Sequence, residues 1–441
     1  MPRSRRSKGF VWFIWFVVYA ALVTAYVWYT SPNNVPSSYA GTAADPATFF
    51  SSKQLADSAR LNAMRNWIFF ISAPWEWLIY LFLLFGGLAR YWRDALESWR
   101  LPLVVRFPLY VLLVDAAAFV LYLPLRALSF ALSKSYGIST QPWPGWIRDK
   151  LVAFGVGYVT LLAVTAVAFW IMSRRGRWWL KLWLISVPFT VFMMYVQPVI
   201  IDPLYNHFTR LSDPQLEQKI LALAAKSDIP ASRVYEVDMS AKTNAINAYV
   251  TGIGSSLRIV LWDTTLKQLN EQEILLIMAH EMGHYAMHHL EWSAVGAVGS
   301  SLVVIVIGGW IYIWSIRRFG DRLGIRGRAD ITALPLLLLI LSLLSFASLP
   351  VSNYVSRQAE SAADAYAMDL LGTADGSISM QQKTALITLS DLNPPLLVRW
   401  FRDTHPSDME RIVAAMKFAK EHPHAAEADA GAAHKGASSS D

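Results

Sequence analysis

His280-Glu281-Met282-Gly283-His284 is the stretch from which the rest of the chain can be ordered. Two histidines four apart project from the same side of a helix with 3.6 residues per turn, so they can grip one metal ion between them. The glutamate between them can then act on a water activated at that metal. With nine His and twelve Glu in 441 residues, the pattern is expected by chance roughly 0.005 times. Asn270 followed by Glu273 fits a capping box, and Ile274, Leu275, Ile277 and Met278 give the helix an apolar face. The segment is polar at both ends and too short to cross a bilayer.

The surroundings are different. The chain is 54% hydrophobic, with 19 Trp and only 16% charged residues, well below the usual quarter. Several apolar runs exceed 18 residues, so the fold class is a mainly α, polytopic membrane protein. Phe10–Tyr29 is too long for a signal h-region, and no small-residue cleavage site follows it closely. It reads as the first span. Further spans are expected near 67–88, 107–127, 151–172, 178–201, 292–314 and 332–350, seven in all. Asp115 falls inside the third and should face a polar interior.

The predicted organisation follows. A basic tail covers 1–9 and five spans cover 10–201. Residues 202–291 form the metal-helix portion of a domain outside the bilayer, with a helix near Leu216–Lys226 and short strands at Val234–Val237 and Leu257–Trp262. Spans six and seven occupy 292–350, and 351–424 is the C-terminal part of the same domain. The Ala/Ser/Gly-rich stretch 425–441 reads as a disordered tail.

The net charge of +7 sits in short clusters beside apolar runs, which marks membrane orientation and not nucleic-acid binding. The N-terminus, the loops after spans two, four and six, and Lys181 at the start of span five hold 17 Lys and Arg, against 6 in the loops after spans one and three. The positive-inside rule then puts the N-terminus in the cytoplasm and the metal motif on the opposite, periplasmic or lumenal, face.

Two histidines leave a catalytic zinc one protein ligand short. The chain has no cysteine, so the third must be His, Asp or Glu. Beyond the seventh span, Glu360 and Asp364 lie four apart on an expected helix, where like charges repel unless a cation or donor relieves them. The small neighbours Ala359, Ala362, Ala363 and Ala367 would let another helix approach closely. His284 precedes span six and Glu360 follows span seven, so both reach the same face. A solvated acidic helix face is the plain alternative for Glu360 and Asp364. His405 alone would read as a surface or capping histidine. His288 and His289 read as polar residues near the membrane surface.

Five ordered motifs carry a resemblance to a family: Pro203-Leu204-Tyr205-Asn206, Asn247 to Gly252, the H-E-M-G-H helix, Glu360-x-x-x-Asp364, and Thr404-His405-Pro406-Ser407 with Arg411. The chain resembles the type I CAAX prenyl endopeptidases, seven-span zinc proteases of the membrane that remove a C-terminal tripeptide from prenylated proteins. The resemblance implies one zinc per chain, with His280, His284 and Glu360 as ligands and Glu281 as base. It implies Asp364 as the carboxylate that orients a ligand histidine, and His405 and Arg411 as groups contacting the substrate carbonyl and the developing oxyanion. It also implies a large chamber enclosed by the seven helices. The stretch Asn247, Ala248, Tyr249 and Val250 would present a strand edge to an extended peptide, although a plain core strand reads equally well. The expected partners are a peptide or protein substrate, prenylated or membrane-associated, and the lipid bilayer, with the chain acting as a monomer. Two alternatives stand beside this reading. One is a quality-control metalloprotease acting on non-prenylated peptides, favoured by the predicted orientation. The other is a zinc-containing transporter or receptor, which would have no need of Glu281.

Overall fold

The computed structural model describes residues 4–30, 35–252 and 257–422. In chain order its helices are α1 (Ser4–Tyr29), α2 (Ser52–Phe85), α3 (Leu88–Ser98), α4 (Leu103–Ser135), α5 (Trp143–Ser173), α6 (Trp178–Val196), α7 (Pro214–Lys226), α8 (Asp263–Gln268), α9 (Glu271–Ala286), α10 (His289–Leu323), α11 (Leu334–Leu371), α12 (Asp375–Thr388), α13 (Leu396–Phe401) and α14 (Asp408–Glu421). The strands are β1 (Phe208–Arg210), β2 (Val234–Val237), β3 (Ala248–Thr251) and β4 (Arg258–Trp262). Among the described residues, seven helices are long and apolar enough to cross a membrane: α1, α2, α4, α5, α6, α10 and α11. A helix satisfies all its backbone groups internally, which lipid demands.

The span count agrees with the sequence reading, while the helices run well past the expected ends. α2 starts at Ser52, behind a Ser51/Gln54 capping box, and not near residue 67. Hydropathy reads its first four turns as loop because they are polar. They are polar because they leave the bilayer and dock on the C-terminal region: Ser58 Oγ donates to Ser390 O, Asn62 Nδ2 to Leu389 O, and Arg65 Nη1 to Thr388 O. α11 likewise continues through Pro350 as one helix to Leu371, carrying Glu360 and Asp364 on the extension. The helix α1 takes in residues 4–9 of the expected tail, and the expected disordered stretch 425–441 lies outside the described residues.

The basic loops converge at one end of the bundle. Arg93, on α3, is buried and donates to Gly324 O and Asp330, beyond α10. Arg326 makes a bidentate pair with Glu97, at 3.0 Å on each arm. Arg328 donates to the carbonyls of Met172 and Arg174 at the end of α5. From this end α11 returns to the other, where the 138–141 loop pairs with Lys242 and Thr243. With 35 residues at about 1.5 Å each, α10 separates the two ends by about 50 Å.

The small domain holds a four-stranded sheet of order β1-β2-β4-β3, with β2 and β4 parallel and the outer pairs antiparallel. β1, only three residues long, is visible only through its pairing with β2. Ile259, Leu261, Val234 and Ala248 from the sheet, Ile220 and Ala224 from α7, and Met278, Ala279 and Met282 from α9 share one core. The capping box expected at Asn270 and Glu273 forms, and α9 lies against α11. The contact is close because Gly283 faces Ala363: a Cβ on Gly283 would lie 3.0 Å from Tyr366 Cδ1 and 3.3 Å from Ala363 Cα. Gly283→Leu should force α9 and α11 apart and cost about 1–3 kcal/mol. In detergent-solubilised protein this reads as a lowered thermal midpoint with reduced metal content; an unchanged midpoint would contradict the packing described.

Candidate metal centre and peptide site

Three ring and carboxylate groups converge where α9 meets α11. His280 Nε2 lies 3.2 Å from His284 Nε2 and 3.2 Å from Glu360 Oε2, and His284 Nε2 lies 3.5 Å from Glu360 Oε1. Glu360 Oε2 is buried without a hydrogen-bond partner, and the three ligand atoms face a common point. Tetrahedral zinc with arms of about 2.1 Å separates its ligand atoms by about 3.4 Å. The three distances fit that figure, and the donor set of two imidazoles and a carboxylate suits zinc. Electrostatics agree. Burial disfavours a charged His280 ring, yet the Asp364 and Glu360 carboxylates outweigh it and pull its pKa up to about 9. The cluster attracts positive charge.

Each group is held from behind. His280 Nδ1 sits 2.9 Å from Asp364 Oδ1, one turn beyond Glu360 on α11, which fixes Nε2 toward the metal position. Arg411, on α14, donates to both Asp364 oxygens, from Nε at 2.8 Å and from Nη2 at 2.5 Å. The buried Gln381 amide lies against the same guanidinium, which assigns its oxygen to that side as acceptor. The like charges expected to repel at Glu360 and Asp364 are therefore relieved on both sides. α14 begins at a Ser407/Glu410 capping box, which sets Arg411 on its first turn. That S-x-x-E box is a helix-start signal that the sequence carries openly, although the motif reading of Thr404 to Ser407 passes over it.

Glu281 stands between the two ligand histidines on α9, near enough to the backbone N–H of Val250 for that group to favour its ionised form. Burial raises its pKa and the Glu360 charge adds to this, while His280, His284 and the Val250 N–H pull the other way; the net shift is upward from 4.5. A general base works only when ionised. The acid limb of kcat/KM should therefore lie above pH 4.5, cleavage falling as pH drops through the raised pKa, with bound metal measured on the same samples to separate this from protonation of the ligand histidines. A limb at or below pH 4.5 with full metal content would count against this electrostatic picture.

His405 is exposed, with Nε2 3.4 Å from Glu360 Oε2 and Nδ1 2.9 Å from the Thr404 hydroxyl. Burial of its surroundings lowers its pKa, so the ring is neutral near pH 7. A Thr404 hydroxyl donating to Nδ1 selects the tautomer with the ring proton on Nε2, and one accepting from Nδ1–H selects the other. Among the described residues β3 is at the edge of the sheet, paired only with β4. Ala248 is buried in the domain core, so only its backbone reaches the edge. Asn247 Oδ1 accepts from the Ala248 N–H, and the Asn247 carbonyl accepts from Thr265 Oγ1, so this residue shapes the strand's start.

Two groups escape the sequence reading. Gln381 carries no sequence signal. His289, expected at the membrane surface, turns its ring to His284 instead: the two Nδ1 atoms are 2.8 Å apart.

Residues 210–419 match the model of peptidase family M48, and residues 30–207 match that of the CAAX prenyl protease N-terminal region, described as five membrane helices. A Bacillus subtilis (strain 168) protein named as the uncharacterized metalloprotease YhfN is 41% identical over 405 residues, covering 91% of this chain and 94% of that one. The CAAX prenyl protease 1 homolog of Arabidopsis thaliana is 28% identical over 295 residues, covering 65% of this chain and 67% of its own. The crystal structure of S. mikatae Ste24p has the same fold, with a TM-score of 0.75 at 20% identity over 94% of this chain and 99% of that chain.

Proposed function

The chain belongs to peptidase family M48, and on that premise we propose that this membrane metalloprotease is a zinc endopeptidase that cleaves an extended peptide laid along β3. The observation that carries the reading is the convergence of His280, His284 and Glu360 beside Glu281, with an edge strand at hand. Zinc held by these three residues would supply a Lewis acid that polarises the scissile carbonyl and lowers the pKa of a water. Glu281 takes the proton of the attacking water and returns it to the leaving amine nitrogen, the role its raised pKa suits. The neutral His405, in the tautomer that donates from Nε2, is positioned to stabilise the oxyanion that develops on the carbonyl. Arg411 acts through Asp364: with two of its donors on that carboxylate, it fixes the His280 ring and adds positive potential behind the site. The outer edge of β3 offers main-chain donors and acceptors to a peptide in antiparallel register, with Val250 close to Glu281.

For the substrate we infer a membrane-associated polypeptide on the face opposite the cytoplasm. The loops that converge at the far end hold most of the 17 basic residues, and the positive-inside rule keeps such an end in the cytoplasm. A prenylated CAAX protein made in the cytosol would not meet the site in that arrangement, which favours processing or quality control of non-prenylated chains. The test is incubation with a farnesylated CAAX peptide and with the same peptide lacking the lipid, followed by mass analysis with and without a chelator. Chelator-sensitive cleavage of both at similar rates is expected; cleavage restricted to the farnesylated peptide, with release of the C-terminal tripeptide, would overturn the substrate assignment. Because the chain contains no cysteine, single cysteines in the 317–328 loop and near Ser407 report orientation directly.

A further inference from the structure

The two ligand histidines are held by unlike groups. His280 has the Asp364 carboxylate behind its Nδ1, while His284 has a second imidazole, with His289 Nδ1 2.8 Å from His284 Nδ1. Nothing in a regular helix would produce this contact. Residue i+5 sits about 140° around the axis from residue i, so an unbroken helix would turn His289 away from His284. The chain instead ends α9 at Ala286 and passes through His288 in the left-handed region, at φ 56° and ψ 34°, before α10 starts at His289. That conformation costs a non-glycine residue about 1–2 kcal/mol. It swings His289 back over the last turn of α9, with ring centroids 5.0 Å apart at 63° to the His284 ring. His288, by contrast, points outward to Glu291.

We propose that His289 is a positioning residue for the metal centre, accepting the Nδ1 proton of His284 and so holding its Nε2 on the metal. The assignment rests on the zinc-site reading above. With Nε2 of His284 directed at His280 Nε2 and Glu360, its proton belongs on Nδ1, and the only ring nitrogen of His289 facing it is Nδ1. His289 is thus the acceptor, with its own proton on Nε2. It is not a fourth ligand, because its nearer nitrogen faces the back of His284. A ligand imidazole whose remote N–H is hydrogen-bonded is fixed in tautomer and orientation, and loss of such a partner weakens metal binding about 10–100-fold.

The experiment separates the hydrogen bond from ring packing. Zinc dissociation constants are measured by chelator competition on the purified full-length protein, for wild type, His289→Phe, His289→Gln and His288→Ala. His289→Phe retains a ring of similar shape without an acceptor, and its dissociation constant should rise about 10–100-fold. His289→Gln can offer its amide oxygen to the His284 Nδ1 proton and should recover to within about threefold of wild type, as should His288→Ala. Wild-type affinity in His289→Phe, or equal weakening in the Phe and Gln variants, would overturn the proposal. Absence of stoichiometric zinc from wild type itself would instead overturn the metal-site reading on which it rests.

Discussion

Glu360→Ala protein should insert in the membrane and bind almost no metal. Glu360 supplies one of the three protein ligands, and its Oε2 is buried without a hydrogen-bond partner of its own. Removing a ligand costs more than the roughly 10–100-fold attached to a supporting residue, so zinc affinity should fall by more than about 100-fold and peptide cleavage with it. The residue lies on the extension of α11 and not in the apolar core, so the loss should come without unfolding. Bound zinc by elemental analysis, beside the thermal midpoint, checks both halves. A Glu360→Ala variant with one zinc per chain would show that the third ligand is elsewhere.

Glu281→Gln should behave in the opposite way toward the metal. The amide keeps the size of the carboxylate but cannot take a proton from water, and general-base catalysis is worth about 10²–10⁴-fold. Cleavage should drop by that factor while zinc stays at one per chain, because Glu281 is not among the converging ligand atoms. A structural zinc in a transporter or receptor would be indifferent to this substitution. The two variants together therefore distinguish holding the metal from using it: Glu360→Ala loses both metal and activity, Glu281→Gln activity alone.

Both expectations are largely legible in the sequence because the features behind them are local or additive. Seven apolar runs survive any detail of packing, since lipid requires a helix of about 20 apolar residues whatever surrounds it. The 3.6-residue period puts His280 and His284 on one face, and the same period joins Glu360 to Asp364. The absence of cysteine restricts the third ligand to His, Asp or Glu. Helix ends are less legible. Hydropathy reports the part of a helix that lies in lipid, whereas α2 and α11 continue as polar, protein-packed helices toward the metal site. The side-chain network is least legible. The family resemblance implies Arg411 as a substrate contact and says nothing of its bidentate clasp of Asp364, which depends on where α14 docks against α11. His289 escapes because helical periodicity extrapolates through His288, and a single left-handed residue resets the phase. β1 is three residues, too short to show a period, and pairing with β2 defines it.

The reading of a single metal held by α9 and α11 also explains the architecture between them. α10 and α11 form a hairpin that leaves the site at His289 and returns to it at Glu360. Gly283 and Ala363 let the returning helix come close enough for its carboxylate to meet the two rings. The basic loops knit the far end of that hairpin to α3 and α5, so the ligand is delivered by a braced element and not by a loop.

The most direct measurement is zinc titration of the purified wild-type protein after chelation, with bound metal and cleavage of a quenched-fluorescence peptide read on the same samples. The account predicts that cleavage disappears with the metal, returns in proportion to zinc added, and saturates at one zinc per chain. Cleavage that persists in the metal-free protein, or that fails to return when one zinc per chain is restored, would contradict it.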